Sequence, residues 1–242
     1  MSSLRRAAAI AFCIHLIAAL SMAFVLRRGL ETTPELRERF SFLIDHRTLW
    51  TLGWLSWTLA ALAILYFYFT FANVHFRSWH FAVLLTIAAL GPDLSAQAIE
   101  IGVLPPLAAR AFSSDAASEL FLTFDRAAVM LSGFVANGLY STTALILTWG
   151  ARGAYPSWVS IIGIAVGVFG IALSVAALLD SAAGMFWTNV FLVPAILLWL
   201  AAVAIVPAAV STAAILLVLI KLTRVQKPGI KCRRLAPAFK IY

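Results

Sequence analysis

Asp93, Gln97 and Glu100 lie at i, i+4 and i+7 in the stretch Gly91-Pro92-Asp93-Leu94-Ser95-Ala96-Gln97-Ala98-Ile99-Glu100. On a helix that spacing gathers two carboxylates and an amide into one polar stripe. The stripe interrupts an apolar run, and carboxylates at membrane depth by default mark paths for substrates, ions or protons. An ionised aspartate at the bilayer centre costs at least about 2.5–3.5 kcal/mol on insertion scales. Such a group needs a partner, a water-filled cavity or a proton. Two roles for Asp93 follow. In the structural role it caps a helix that restarts after Gly91-Pro92, where proline removes the bond to the Ala88 carbonyl and kinks the rod, and it hydrogen-bonds Asn137 as glue. In the functional role it binds a proton or cation in a cavity, with Gln97, Asn137 and His15 as neighbours. The structural role ranks first on the residues alone. Glu100 is expected nearer the outer interface, solvated and paired with an outer-loop arginine.

Other chemistry finds little support. There is no HExxH, no GxSxG elbow, no phosphate loop and no CxxC. His75 and His80 are five apart, which is not the spacing that sets two ligands on one helical face, and one embedded histidine cannot ligate a haem from both sides. Cys13 in an apolar run and Cys232 in a basic tail make neither a disulfide framework nor a zinc site. No catalytic residue, metal or cofactor is therefore assigned.

The elements that would position the stripe are membrane helices. The chain has 242 residues, 63% of them hydrophobic and 12% charged, with a mean hydropathy of +0.97. Soluble domains carry about 25% charged residues, so the fold expected is all-α, a polytopic membrane helical bundle of six transmembrane helices. Apolar runs place the spans at about 7–26, 49–71, 81–104, 127–149, 157–178 and 190–220, with a basic tail at 221–242. The first run reads as an uncleaved span in preference to a signal peptide, although Ser21-Met22-Ala23 resembles a cleavage site. Trp50 and Trp54 at one end of the second run, and Tyr66 and Tyr68 at the other, suit aromatic belts.

Short interfacial helices are expected in the two longer outer loops. One begins near Thr32-Thr33-Pro34-Glu35, with Thr33 as N-cap or Thr32 and Glu35 as a capping box. The other begins at Ser113-Ser114-Asp115. Gly163, Gly167 and Gly170 allow close helix approach, within the bundle first and at a homodimer seam or partner membrane subunit second. The last apolar run would reach roughly 45 Å as a helix, so part of it is expected in the interface.

Charge sets the topology. The net charge of +8 could suggest nucleic acid, but all four lysines follow the last apolar run, where a cytoplasmic tail belongs. Six spans put both termini on one side. With that side cytoplasmic, the inner segments hold Arg5, Arg6, Arg77, Arg152 and the tail cations, and no acid. Lys221, Arg224, Lys227, Lys231, Arg233 and Arg234 are the residues placed to meet anionic lipid headgroups, and the bilayer is the partner that composition demands. Five spans would leave arginines or the tail outside, so parity favours a true crossing by 81–104. Asp93 then sits roughly 18 Å past residue 81, near mid-depth.

Trp50…Gly53-Trp54, Val135-Ala136-Asn137-Gly138-Leu139-Tyr140 and Tyr155-Pro156 before a glycine-rich helix resemble a family of bacterial multi-pass integral membrane proteins of unknown function, over roughly residues 50–210. The resemblance implies a bacterial inner membrane and no chemistry. The leading functional expectation is a non-catalytic binding, scaffold or accessory membrane subunit. The alternative is a small proton- or cation-coupled transporter or channel using Asp93, and a lipid-modifying enzyme comes last.

Overall fold

The computed structural model describes residues 3–75 and 79–206. Six helices are long and apolar enough to cross a bilayer, and no strand is found among the described residues. Helix is the expected solution, because a run of apolar side chains can enter hydrocarbon only if its backbone bonds are closed within the segment.

In chain order the elements are α1 (Ser3–Phe24), a 3-10 turn (Leu26–Arg28), α2 (Leu36–Asp45), α3 (Arg47–His75), α4 (Trp79–Gly102), α5 (Leu104–Ala111) and α6 (Asp115–Val129). A π segment (Met130–Ala136), α7 (Asn137–Gly150), α8 (Ser157–Leu178) and α9 (Ala182–Ile205) complete the bundle. The long helices alternate in direction. One end, the base, carries the start of α1 and residues 151–156. The other, the cap, carries α2, α5 and the turns around them.

Several boundaries differ from the sequence reading, each for a local reason. Thr32 and Thr33 do not cap α2, because both hydroxyls donate to the Arg27 carbonyl, at 3.3 and 3.0 Å. The N-cap of α2 is Glu35, which makes no side-chain cap bond. Pro105-Pro106 do not close α4. The helix ends at Gly102, and the prolines open α5, whose first turn needs no N–H from them. Ser114 does cap α6, accepting from the Ala117 amide at 3.3 Å. That helix then runs through the π segment into α7, so no separate interfacial helix precedes the fourth span. The last crossing begins at Ala182 and not near 190. Asp180, at φ 54°, closes α8 in the left-handed conformation, with the Ser181 and Asp180 amides bonded to the Ala176 and Ala177 carbonyls. Ser181 then caps α9 at once by accepting from the Gly184 amide. Residues 207–220 of the expected last run lie outside the described residues, as do the tail cations Lys221, Arg224, Lys227, Lys231, Arg233 and Arg234.

Two apolar clusters hold the bundle. At the base, Phe67, Phe71 and Trp199 are almost fully buried and meet ring to ring, with centroids 5.4–5.8 Å apart. Ala7, Ala8 and Ala11 give α1 a flat face against α3 and α9. Gly163, Gly167 and Gly170 serve the same purpose on α8. A Cβ at Gly163 would collide with Thr148 and lie 2.8 Å from Trp199 Nε1, and one at Gly170 would collide with Ser141. The glycine stripe thus faces α7 and α9 of the same chain.

At the cap, Leu26, Phe40, Leu43, Leu104 and Phe121 surround Trp50. Trp50 is fully buried and Trp54 and Tyr68 nearly so. Of the four aromatics expected in interfacial belts, Tyr66 alone is exposed. The other three are drawn inward: Trp50 donates to the Glu100 carbonyl and Tyr68 to the Tyr140 carbonyl, while Trp54 packs its ring on Trp50.

Candidate functional site

The stripe on α4 faces the bundle interior. Thr86 is fully buried, Asp93 is 8% exposed, and Gln97 and Glu100 are each 3% exposed. Small residues on the same face, Ala82, Ala89 and Ala96, are buried too and let neighbouring helices come close enough to bond each rung. Thr86 and Thr143 pair at 3.2 Å, Gln97 Oε1 accepts from Thr58 Oγ1 at 2.5 Å, and the Glu100 carbonyl accepts from Trp50 Nε1 at 2.7 Å.

Asp93 takes its hydrogen bonds from another part of the chain. Ser132 Oγ donates to one carboxylate oxygen at 3.0 Å and Tyr140 OH to the other at 3.3 Å. Neither donor carries a charge. The expected local cap is absent, because α4 passes through Pro92 unbroken and presents no helix start at residue 93. Asn137 is not a donor to Asp93 either; its place is on the wall of the cavities described below. Ser132 belongs to the π segment, where five-residue spacing rotates the helix and re-aims the side chain. Single-turn π bulges of this sort collect at functional sites. Gly133, the next residue, lets the segment press on α8: a Cβ there would sit 3.0 Å from that of Ala177.

Two cavities meet at this carboxylate. The larger, about 1480 Å³, begins at the exposed Arg27, Arg28 and Arg37 of the cap and descends between α1, α3, α4 and α9 to Asp93 and Asn137. The smaller, about 100 Å³, continues toward the base and is lined by His15, Tyr68 and Ser141. Trp57, Asp93, Ser132 and Asn137 line both. A space of that size holds several waters beside polar walls. His15 is buried with Nδ1 committed to the Ala11 carbonyl at 2.8 Å, so Nε2 is the ring nitrogen left for other partners. The structure therefore brings Asp93, Asn137 and His15 to one small cavity, and Asp93, Gln97 and Glu100 to the large one.

Glu100 departs from expectation. It is neither solvated nor paired with an arginine: its Oε2 is buried without a hydrogen-bond partner. The arginine of this region, Arg39 on α2, is also buried and spans to Asp125 on α6 at 2.8 Å and to the Gly29 carbonyl at 2.8 Å. Its guanidinium lies over the Phe121 ring. Glu31, on the turn between α1 and α2, likewise has a buried oxygen without a partner. Burial pushes the Glu31 carboxyl above its ordinary range, the neighbouring Asp125 charge adds to this, and Arg39 opposes it.

Sequence reading missed Arg39, Asp125 and Ser132 as site residues. Arg39 follows the helical pattern of an exposed position, and nothing in its neighbours announces a buried partner 86 residues away. Ser132 and Tyr140 did carry a signal, since they are polar groups in a span at the depth expected of Asp93.

Among the described residues no three His, Cys, Asp or Glu side chains converge as a metal site. No family model matches this chain, and no curated protein or solved structure matches it. The family resemblance of the Trp50…Trp54 and Val135–Tyr140 motifs accordingly stands on those short motifs alone.

Proposed function

We propose that this chain is a six-span membrane protein that admits a solute from the cap face and couples its passage to a proton or cation held at Asp93. The observation that carries the proposal is the large cavity, which reaches from the exposed cap to a buried carboxylate whose hydrogen-bond partners are all uncharged. An ionised aspartate in that setting lacks a counter-charge, and a mobile proton or cation supplies it. Below Asp93 the aromatic cluster of Phe67, Phe71 and Trp199 closes the base, which suits a carrier open on one side. Asp93 and His15, both on the wall of the small cavity, are the groups that would take up and release the proton, with water in that cavity carrying it between them and Asn137 offering a hydrogen bond to the water.

The cap is assigned to the outer face of a bacterial inner membrane. At the base the described charged side chains are Arg5, Arg6 and Arg152, while the acids of the chain cluster at the cap and on α4; cytoplasmic loops favour that excess of arginine. The scaffold or accessory-subunit reading becomes second, because a subunit that only fills space has no need of a cavity ending on a carboxylate.

The test is flux. The full chain in liposomes, under an imposed pH gradient with Na⁺ or K⁺ outside, is expected to dissipate the gradient, as followed by a pH-sensitive dye. Asp93→Asn should slow dissipation about tenfold or more, the loss expected when a relay carboxylate is removed, with thermal stability in detergent kept. Asp93→Glu should retain part of the rate. Wild-type liposomes no leakier than empty ones, or an Asp93→Asn variant as active as wild type, would falsify the proposal.

A further inference from the structure

Four buried polar atoms without hydrogen-bond partners belong to residues on the wall of the large cavity: Oε2 of Glu31, Oε2 of Glu100, and the indole nitrogens of Trp54 and Trp57. Glu100 and Trp54 are more than nine-tenths buried. Native proteins leave few such groups, and each calls for a reason. These four are not a random set. Two are carboxyl oxygens and two are indole N–H donors on flat aromatic rings, all on the cap side of Asp93. Arg39, the buried arginine of this region, is already bonded to Asp125 and to a backbone carbonyl, and it makes no hydrogen bond to either glutamate oxygen.

We infer that this upper chamber binds an organic ammonium group that also carries a hydrogen-bond acceptor. The ammonium faces Glu100 and Glu31, where its N–H groups meet the two unpartnered carboxylate oxygens. The rings of Trp54 and Trp57 flank it, an arrangement that favours cations over aromatic faces. The acceptor, phosphate or carbonyl oxygen, takes the indole N–H groups, and the exposed Arg27 and Arg28 at the mouth favour an anionic one. Beyond these residues the wall is apolar where α1 and α9 contribute Met22, Val190 and Val193. A zwitterion such as a phosphoethanolamine meets every one of these demands, either as a free solute or as the headgroup of a lipid whose chains lie along that apolar wall. The inference rests on the cavity being a ligand chamber, as the proposed function requires, but not on transport.

Tryptophan fluorescence of the purified full chain in detergent tests it, with three ligands. These are ethanolamine phosphate, a short-chain phosphatidylethanolamine, and the phosphatidylglycerol of the same chain length, which lacks the ammonium. The ethanolamine compounds are expected to bind about tenfold or more tightly than the glycerol one, the worth of one charge-assisted hydrogen bond. Glu100→Gln should erase that preference, and Glu31→Gln should reduce it and serves where the first variant fails to fold. Trp57→Phe keeps an aromatic ring and loses the donor, so it should weaken all three phosphate-bearing ligands while leaving the preference for the ethanolamine lipid over the glycerol one. Equal affinity for the free and lipid forms assigns a soluble solute, and tighter binding of the lipid assigns a headgroup; both sustain the ammonium site. Equal binding of the ethanolamine and glycerol lipids, or a preference untouched by both glutamate variants, overturns it. Asp93→Asn is expected to keep the binding and lose the flux. A chain that binds ammonium but carries no flux removes the transport reading alone, and flux without ammonium preference removes this one alone.

Discussion

At the base of the bundle, Phe67, Phe71, Tyr68 and Trp199 meet ring to ring, and small residues on α1 and α8 draw the helices together. At the cap, the same helices part around a cavity, and beside an apolar cluster some buried groups there are charged or lack hydrogen-bond partners. The base obeys the rule for membrane helices, where shape complementarity and close backbone approach hold what the hydrophobic effect cannot. The cap breaks it. An arginine, two acids and two indoles are buried there, and an arrangement so costly is kept where it serves a ligand or holds a lid. The two ends therefore answer to different demands: one to tightness, the other to recognition.

Removing Arg39 should break the cap hardest. Its loss leaves Asp125 buried and unpaired, and breaking one partner of a buried pair costs about 3–5 kcal/mol. Arg39→Ala is expected to lower the thermal midpoint in detergent by several degrees, and Asp125→Ala likewise. The apolar double variant Arg39→Met with Asp125→Leu should recover much of the loss, since neither charge is then stranded. A double variant no better than either single one would show that Arg39 acts through Gly29 or Phe121 and not through its carboxylate.

Opening the base comes next. Trp199→Ala removes a ring that touches Phe67, Phe71 and Tyr68, and large-to-small changes of that kind cost about 3 kcal/mol. If the ring also seals the base, liposomes of this variant should leak protons without regard to Asp93. Leakage that still depends on Asp93 would place the seal elsewhere.

The smallest effect sharpens the cap. Burial raises the Glu31 carboxyl pKa above its ordinary 4.5. A carboxyl whose folded pKa is raised favours folding most where it is protonated in both states. Its contribution is complete below pH 4.5 and is lost as pH rises through the folded value. Wild type should thus lose stability relative to Glu31→Gln as pH climbs from 4 toward neutrality, by an amount reduced by the partial exposure of the turn. Thermal midpoints of the two proteins across that range check the sign. Parallel curves would mean that Glu31 is hydrated in solution.

Much of this was legible in order along the chain. Residues 157–178 read as a span because no charge breaks the run, and α8 has those bounds. The shared face of Asp93, Gln97 and Glu100 on α4 was legible by helical arithmetic alone, but the burial of Glu100 on it was not. Local chemistry misled where a stronger partner lay elsewhere. Thr32 and Thr33 look like caps, yet their hydroxyls donate to the Arg27 carbonyl and α2 has no side-chain cap bond. Pro92 looks like a break, yet one missing N–H does not stop a helix packed on three sides. The start of α9 was hidden because the αL residue closing α8 is Asp180 in place of the usual glycine.

Composition and periodicity alone determined that six apolar helices would form and that one of them would carry an acidic stripe, since both follow from side-chain polarity and a repeat of about 3.6 residues. Which groups that stripe would meet was a matter for tertiary structure. Ser132 reaches Asp93 through a π segment, Arg39 crosses the cap to Asp125, and Glu100 is left without a partner, because contacts between distant segments depend on how helices rotate and pack. That rotation is the sum of many weak contacts, and no single residue announces it.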